Sequence, residues 1–419
     1  MSAARSAVAL LAALVVLAPA SRAQEPGEQL CGDCHTTGKI PHEHTKAELD
    51  QEKDCIYCTT FMEKDKEALG LDWMPCPKCR TPSMQARAKS EFDAEMTTRR
   101  TWIEERRKRV DALVGHPCWH LRTEHFELTW DVQQWKVGQH IYDAHTMLHI
   151  WADRFESLYA EIQKLHGVDD HDMGKGGGRT RFEVMMFEGE KSALTLRPRI
   201  LGGTSHAVFG PVAEIQIDWI DKKKQRDDDE FAQYMTHHVA HLIYHDMDRD
   251  AKWLHEKYGW MQEGLGHFWE MRKYGAPRTY CSREAGADLN WKGKNWEAAI
   301  KRAVLAGEAI AFADSCGKAA DTLTPQEHVY AWSWVDYLIW LDPTKLPQML
   351  GMMKSNEQPP VRECLMESYG ITMGQFDEGW QQFVKDVYST APTKGPTIRA
   401  PKGADPKAKG APPSKDDGD

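Results

Sequence analysis

Two short stretches lying close together set the tightest constraint on this chain. They are Thr236-His237-His238-Val239-Ala240-His241 and Trp260-Met261-Gln262-Glu263-Gly264-Leu265. His237 and His241 are four residues apart, so a helix places both imidazoles on one face, one turn above the other. A zinc site of this geometry needs a third ligand from further along the chain and one position open for water, and Glu263, on a second expected helix, can be that ligand. The histidine-bearing helix must bury its other face, and Phe231, Tyr234, Met235, Val239, Leu242 and Ile243 supply the apolar side chains. Asp227, Asp228, Asp229 and Glu230 precede it and favour its positive dipole end. His245 extends the histidine stripe by a further turn. A lone histidine pair is more often a pair of satisfied core imidazoles; the downstream glutamate is what points to a metal.

At 419 residues the chain is long enough for two or three domains and at least one large core. The net charge of −10 argues against nucleic acid as a partner, because phosphate neutralisation needs a basic face. Arg5, the apolar run Ala7–Ala18 and the small residues Ser21 and Ala23 read as a signal peptide over 1–23, too short in its apolar core to span a bilayer. The mature protein is therefore expected to be exported, with no stable membrane anchor after cleavage. Residues 24–82 form a Cys-rich module, and 83–115 a charged helical spacer, solvated, with Phe92, Met96, Trp102, Ile103, Val110 and Leu113 at helical intervals. The main domain covers 118–388. Residues 390–419, rich in Pro, Gly, Lys, Ala and Asp, read as a disordered tail.

Within the main domain, Glu124–Trp130, Phe182–Phe187 and Val208–Trp219 read as strands, Gln139–His166 as a long amphipathic helix, and the region from Tyr258 onward as almost wholly helical. Strands first and helices later predict an α+β fold instead of βαβ units. The glycines at 174–178 lack the spacing and the trailing Lys-Ser/Thr of a phosphate loop.

The ordered set of these features resembles the peptidase MA-like gluzincins, zinc peptidases related to thermolysin in their catalytic domain. In that group a strand-rich half precedes an H-E-x-x-H helix. A W-x-x-E-G segment follows, then a Tyr-bearing helix and a closing G-x5-F-x3-W-x2-F pattern. Here the matching stretches are His237–His241, Trp260–Gly266, His328–Val335, and Gly370 with Phe376, Trp380 and Phe383. The resemblance covers roughly residues 118–388 and implies a strand-rich half followed by a helical half. It also implies zinc held by His237, His241 and Glu263, and a peptide or protein substrate or ligand. Tyr330 is the candidate phenol for stabilising an oxyanion, although an aromatic on an apolar helix equally fits the core. The departure is His238, which stands where the family has its catalytic glutamate. Removing a positioned general base lowers rates by roughly 10²–10⁴-fold. The expectation is a metallopeptidase homologue, zinc-binding, with impaired or lost proteolysis.

Six of the ten cysteines form three C-x-x-C pairs: Cys31/Cys34, Cys55/Cys58 and Cys76/Cys79. Cys31-Gly32-Asp33-Cys34-His35 matches the C-x-x-C-H of haem c attachment, with His35 as one axial ligand and His42, His44 or Met62 as the other. Cys55/Cys58 and Cys76/Cys79 have no following histidine, and the 17 residues between them suit a four-thiolate zinc site. Cys34-His35-Thr36-Thr37-Gly38 also resembles the C-x-x-C-x-G-x-G units of DnaJ-type zinc domains, with only the second glycine present. Zinc, haem c and disulfides all remain open for this module. The haem reading makes the chain an exported single-haem redox protein whose large domain serves only for binding. The other cysteines are Cys118, Cys281, Cys316 and Cys364, and an oxidising compartment favours pairing among them, Cys281 with Cys316 for example.

Overall fold

The computed structural model describes residues 39–41, 73–75, 82–173, 181–201, 215–220, 227–247, 257–279 and 295–391. The signal-peptide reading, Cys281 and the tail beyond residue 391 lie outside these residues. So do Cys31, Cys34, His35, Cys55, Cys58, Cys76 and Cys79, and with them the whole ligand set expected of the Cys-rich module. The chain divides into two units, the first being Met1–Glu43 with Asp72–Glu95 and the second His44–Leu71 with Met96–Asp419. In the first, strand β1 (Lys39–Pro41) pairs antiparallel with β2 (Trp73–Pro75), Ile40 lying opposite Met74.

Helix α1 (Pro82–Arg106), which belongs to the second unit from Met96 onward, continues through a π-helical turn at Arg107–Asp111. Much of the charged spacer is exposed, but one stripe of it is not. Ile103, Arg106 and Val110 are buried. Arg106 donates to Thr129 Oγ1 at 2.8 Å and pairs with Glu183 Oε1 at 2.9 Å, so a charge read as solvent-facing is spent on the sheet.

That sheet has four strands, β3 (Trp119–Arg122), β4 (Phe126–Trp130), β7 (Phe182–Phe187) and β8 (Ile215–Trp219), hydrogen-bonded in that order. β3 and β4 are antiparallel, whereas β4–β7 and β7–β8 are parallel. Helices α2 (Ala144–His166) and α3 (Glu190–Leu201) make the crossovers, so βαβ units do occur inside this α+β fold. Parallel neighbours need such crossovers and are covered on both faces. β7 obeys this rule: Phe182, Val184 and Met186 face the main core, while Met185 and Phe187 face a second cluster with Val110, Leu196 and Ile217.

Helix α2 starts later than its periodicity predicts. Residues 140–143 instead form β6 (His140–Asp143), paired with β5 (Gln134–Val137), and Asp143 then caps the helix by accepting from the Thr146 amide at 2.8 Å.

Beyond the sheet the unit is helical: α4 (Asp228–Asp246), α5 (Gly259–Tyr274), α6 (Trp296–Ala306), α7 (Pro325–Leu341), α8 (Leu346–Lys354), α9 (Val361–Tyr369) and α10 (Met373–Val387). α4 is capped by Asp227, whose carboxylate accepts from the Glu230 amide at 2.9 Å. At its other end the buried Lys354 ammonium donates to the carbonyls of Tyr244, His245 and Met247, filling acceptors that a helix C-terminus leaves open.

α5 lies between α4 and α7, buried from Gly259 to Met271. Two glycines make this fit. A Cβ on Gly264 would stand 2.5 Å from the Ala331 carbonyl oxygen of α7, and one on Gly266 would stand 2.7 Å from His237 and 2.8 Å from His241 of α4. Among the described residues no helix is long and apolar enough to cross a membrane.

Candidate metal centre

The three residues expected to converge do so. His237 Nε2 and His241 Nε2 are 2.9 Å apart, and Glu263 Oε2 lies 3.7 Å from the first and 3.8 Å from the second. Donors tetrahedrally arranged at zinc bond lengths of about 2.0–2.2 Å are separated by roughly 3.3–3.5 Å, so the observed spacings bracket the requirement. All three side chains are buried. Glu263 Oε2 accepts no hydrogen bond although it is shut away from water. Its partners are the imidazoles of His237, His241 and His328 at ion-pair distance, and a bound cation would satisfy this buried carboxylate more fully than they do.

Glu270, one helical turn beyond His267 on α5, orients the first imidazole. Its Oε2 lies 3.1 Å from His237 Nδ1 and 3.0 Å from His267 Nδ1. Its Oε1 accepts from the amides of Arg278 (3.1 Å) and Thr279 (3.0 Å) and from the Thr279 hydroxyl (2.7 Å). A carboxylate so saturated is ionised and acts as acceptor only, so both Nδ1 atoms donate to it and each Nε2 is left to face the cluster.

The electrostatics favour positive charge on one imidazole of the cluster, His237. Burial would depress His237, but Glu263 and Glu270 outweigh it and hold its pKa up to about 9. His241 is driven far down by burial and by the neighbouring His237. Burial opposes ionisation of both glutamates. His237, His241 and His328 nevertheless keep Glu263 well below the usual carboxylate range, and His237 with His267 brings Glu270 down to about 2.

His238 differs from its two neighbours. Its ring sits edge-on to Tyr234 at 4.4 Å between centroids, and its Nδ1 is buried with no hydrogen-bond partner. Burial, then His237, pushes its pKa to about 3, so the ring stays neutral at neutral pH and is a poor base for taking a further proton. Tyr330 packs its ring against Trp334 and Trp380 as part of the aromatic core. The α7 side chain that reaches the cluster is His328, two residues earlier.

The cysteines divide between described and undescribed residues. Among the described residues Cys118, Cys316 and Cys364 are free thiols, Cys316 hydrogen-bonded to the Ala313 carbonyl, and the expected partner Cys281 lies outside the described residues. The expected zinc ligands Cys55, Cys58, Cys76 and Cys79 fall outside the described residues, as do Cys31, Cys34 and His35 of the haem c reading. The metal centre described here therefore draws on none of them.

Sequence reasoning missed Glu270, His267 and His328. The first two carry a signal that was there to read, since Glu263, His267 and Glu270 follow one another at i, i+4 and i+7 on one helix face. His328 carries none, because only tertiary packing brings it to α5.

Groups of buried histidine and glutamate in this unit can therefore hold a metal ion. Compared with family models, curated proteins and solved structures, the chain gives no match.

Proposed function

We propose that the helical half binds zinc through His237, His241 and Glu263. In this proposal the chain is an exported gluzincin-like metallopeptidase homologue with impaired or lost proteolysis, acting on or binding peptide or protein. What carries the metal assignment is a single atom: Glu263 Oε2, buried, accepting no hydrogen bond, and facing two imidazole nitrogens at 3.7 and 3.8 Å. Two nitrogens and one carboxylate oxygen suit zinc better than magnesium or calcium, which favour all-oxygen shells. When bound, zinc supplies Lewis acidity toward a carbonyl oxygen.

The chain's own residues hold that ion and orient it. His237 and His241 present Nε2, and Glu270 fixes the His237 tautomer from behind. No carboxylate stands at position 238 to move a proton, and the imidazole there packs against Tyr234. That substitution supports lost or weakened turnover.

Elemental analysis of the wild type against a His237→Ala/His241→Ala double variant tests the ligand set. The double variant should lose one equivalent of zinc per chain, and equal zinc in the two proteins would overturn the assignment. His238→Glu should raise peptidase activity on a broad peptide panel, and no gain would leave a binding role only.

A further inference from the structure

The buried cluster does not end at the three ligands. On the far side of Glu263, His267 Nε2 and His328 Nδ1 face one another at 3.1 Å, and His328 Nδ1 is 3.9 Å from the same Glu263 Oε2. Ligand atoms of Glu263, His267 and His328 all lie within 4.8 Å of one another, and all three residues are buried. Glu263 Oε2 is thus ringed by three imidazole nitrogens at 3.7, 3.8 and 3.9 Å, two contributed by α4 and one by α7.

Glu270 serves both sides alike. The same Oε2 that accepts from His237 Nδ1 accepts from His267 Nδ1, so it turns one Nε2 toward His241 and the other toward His328. The group His237, His267 and Glu270 is itself close enough to invite a metal, but both its Nδ1 atoms donate to a carboxylate that also accepts from Arg278 and Thr279, so none of the three has a lone pair left there for an ion.

We infer that the centre is dinuclear, with Glu263 bridging the ion held by His237 and His241 to a second divalent cation held by His267 and His328. This inference rests on Glu263 being a ligand of the first ion. The nitrogen-rich donor set selects a late first-row cation, zinc or cobalt, over magnesium or calcium. Two divalent ions exceed the charge of Glu263 and Glu270 by two, so the second enters with an anion from the medium. Carboxylate-bridged pairs of this kind hold their ions about 3.5–4 Å apart, which the shared oxygen permits.

The test uses the full-length chain loaded with cobalt(II) chloride and needs no variant for its first arm. At saturation the two ions should be spin-coupled, giving an electron paramagnetic resonance signal well below the intensity of independent cobalt ions. A full-intensity signal in the wild type would overturn the inference. In the second arm, His328→Gln should carry one equivalent fewer than the wild type and regain an uncoupled signal, while His241→Gln should lose the ion of the first set. If His241→Gln loses an equivalent and folded His328→Gln loses none, the second site is wrong and the first stands. If His241→Gln loses none, the three-ligand reading itself has failed.

Discussion

The sheet half and the helical half each gather histidines and carboxylates, and the two clusters use their acids differently. Around His125, Glu156 spends both oxygens: Oε2 meets His125 Nδ1 at 2.6 Å and Oε1 accepts from the His125 amide at 2.9 Å. Asp170 lies 3.3 Å from His125 Nε2 and accepts from Gln163 (2.7 Å) and Tyr159 (3.2 Å). Donors account for this acid cluster, and its outer member is partly open to water. Glu263 Oε2 is closed off from solvent and accepts from no donor, yet three imidazole nitrogens surround it. Proximity of histidine and acid does not define a metal site. Nor does a buried acceptor without a donor, since Glu183 Oε2 is another; what sets Glu263 apart is that such an oxygen faces three imidazole nitrogens.

Glutamine substitutions give the sharpest contrast. Glu263→Gln should weaken zinc binding by more than about 100-fold, beyond the range typical of outer-shell changes. Glu156→Gln should leave metal content unchanged and lower stability by about 1–3 kcal/mol, the worth of a charge-assisted hydrogen bond. Metal loss in Glu156→Gln, or none in Glu263→Gln, would erase the distinction between the clusters; dialysis against a zinc buffer followed by elemental analysis reads both. Glu270→Gln comes next. It keeps the ligands but loosens His237, so affinity should fall about 10–100-fold while saturating metal restores the full stoichiometry.

Smaller effects follow from packing and from protons. Gly266→Ala drives a methyl into both ligand imidazoles and should cost about 1–3 kcal/mol, as overpacking does. Gly189, in the sheet half, has open space where its Cβ would go, so Gly189→Ala should be close to neutral in the same denaturant titration.

The pH responses should also differ. Burial opposes charge on both His125 and Glu156, but each holds the other charged, so His125 lies above its usual value and Glu156 below. The His125 contribution is complete below about pH 6.5 and fades as pH rises through its raised value. The Glu156 contribution is complete above about pH 4.5 and fades as pH falls through its lowered one. Chemical denaturation of wild type against Glu156→Gln should therefore differ most between those two pH values. Metal uptake at the helical cluster should run the other way, strengthening as pH rises toward 9, because the proton held on His237 must leave.

Much of the helical half was legible because its signals are local. Asp227 caps α4 where acidic residues cluster, and the i, i+4 pair lands on one face. Spacing alone would not have been enough, since His145 and His149 on α2 repeat it with Nε2 atoms 3.1 Å apart. Glu263 facing His237 and His241 is what separates the two pairs. The sheet half was less legible. Parallel pairing of β4 with β7 depends on strands far apart in the chain, and residues 140–143 join a hairpin against the helical periodicity around them. Arg106 shows the limit of charge patterning, because a basic residue in a charged run found its acid 77 positions later at Glu183.

Gly264 and Gly266 have a consequence for motion. Because α5 meets one neighbour backbone to backbone and the other directly against its imidazoles, the gap between α4 and α7 has few side-chain torsions that could relax it. Such a laminate has little room for partial opening, so amide protons along residues 261–271 should exchange with solvent only when the whole unit unfolds. Slow, uniform exchange there, beside faster exchange in the β5–β6 hairpin, would mark these three helices as a single rigid block.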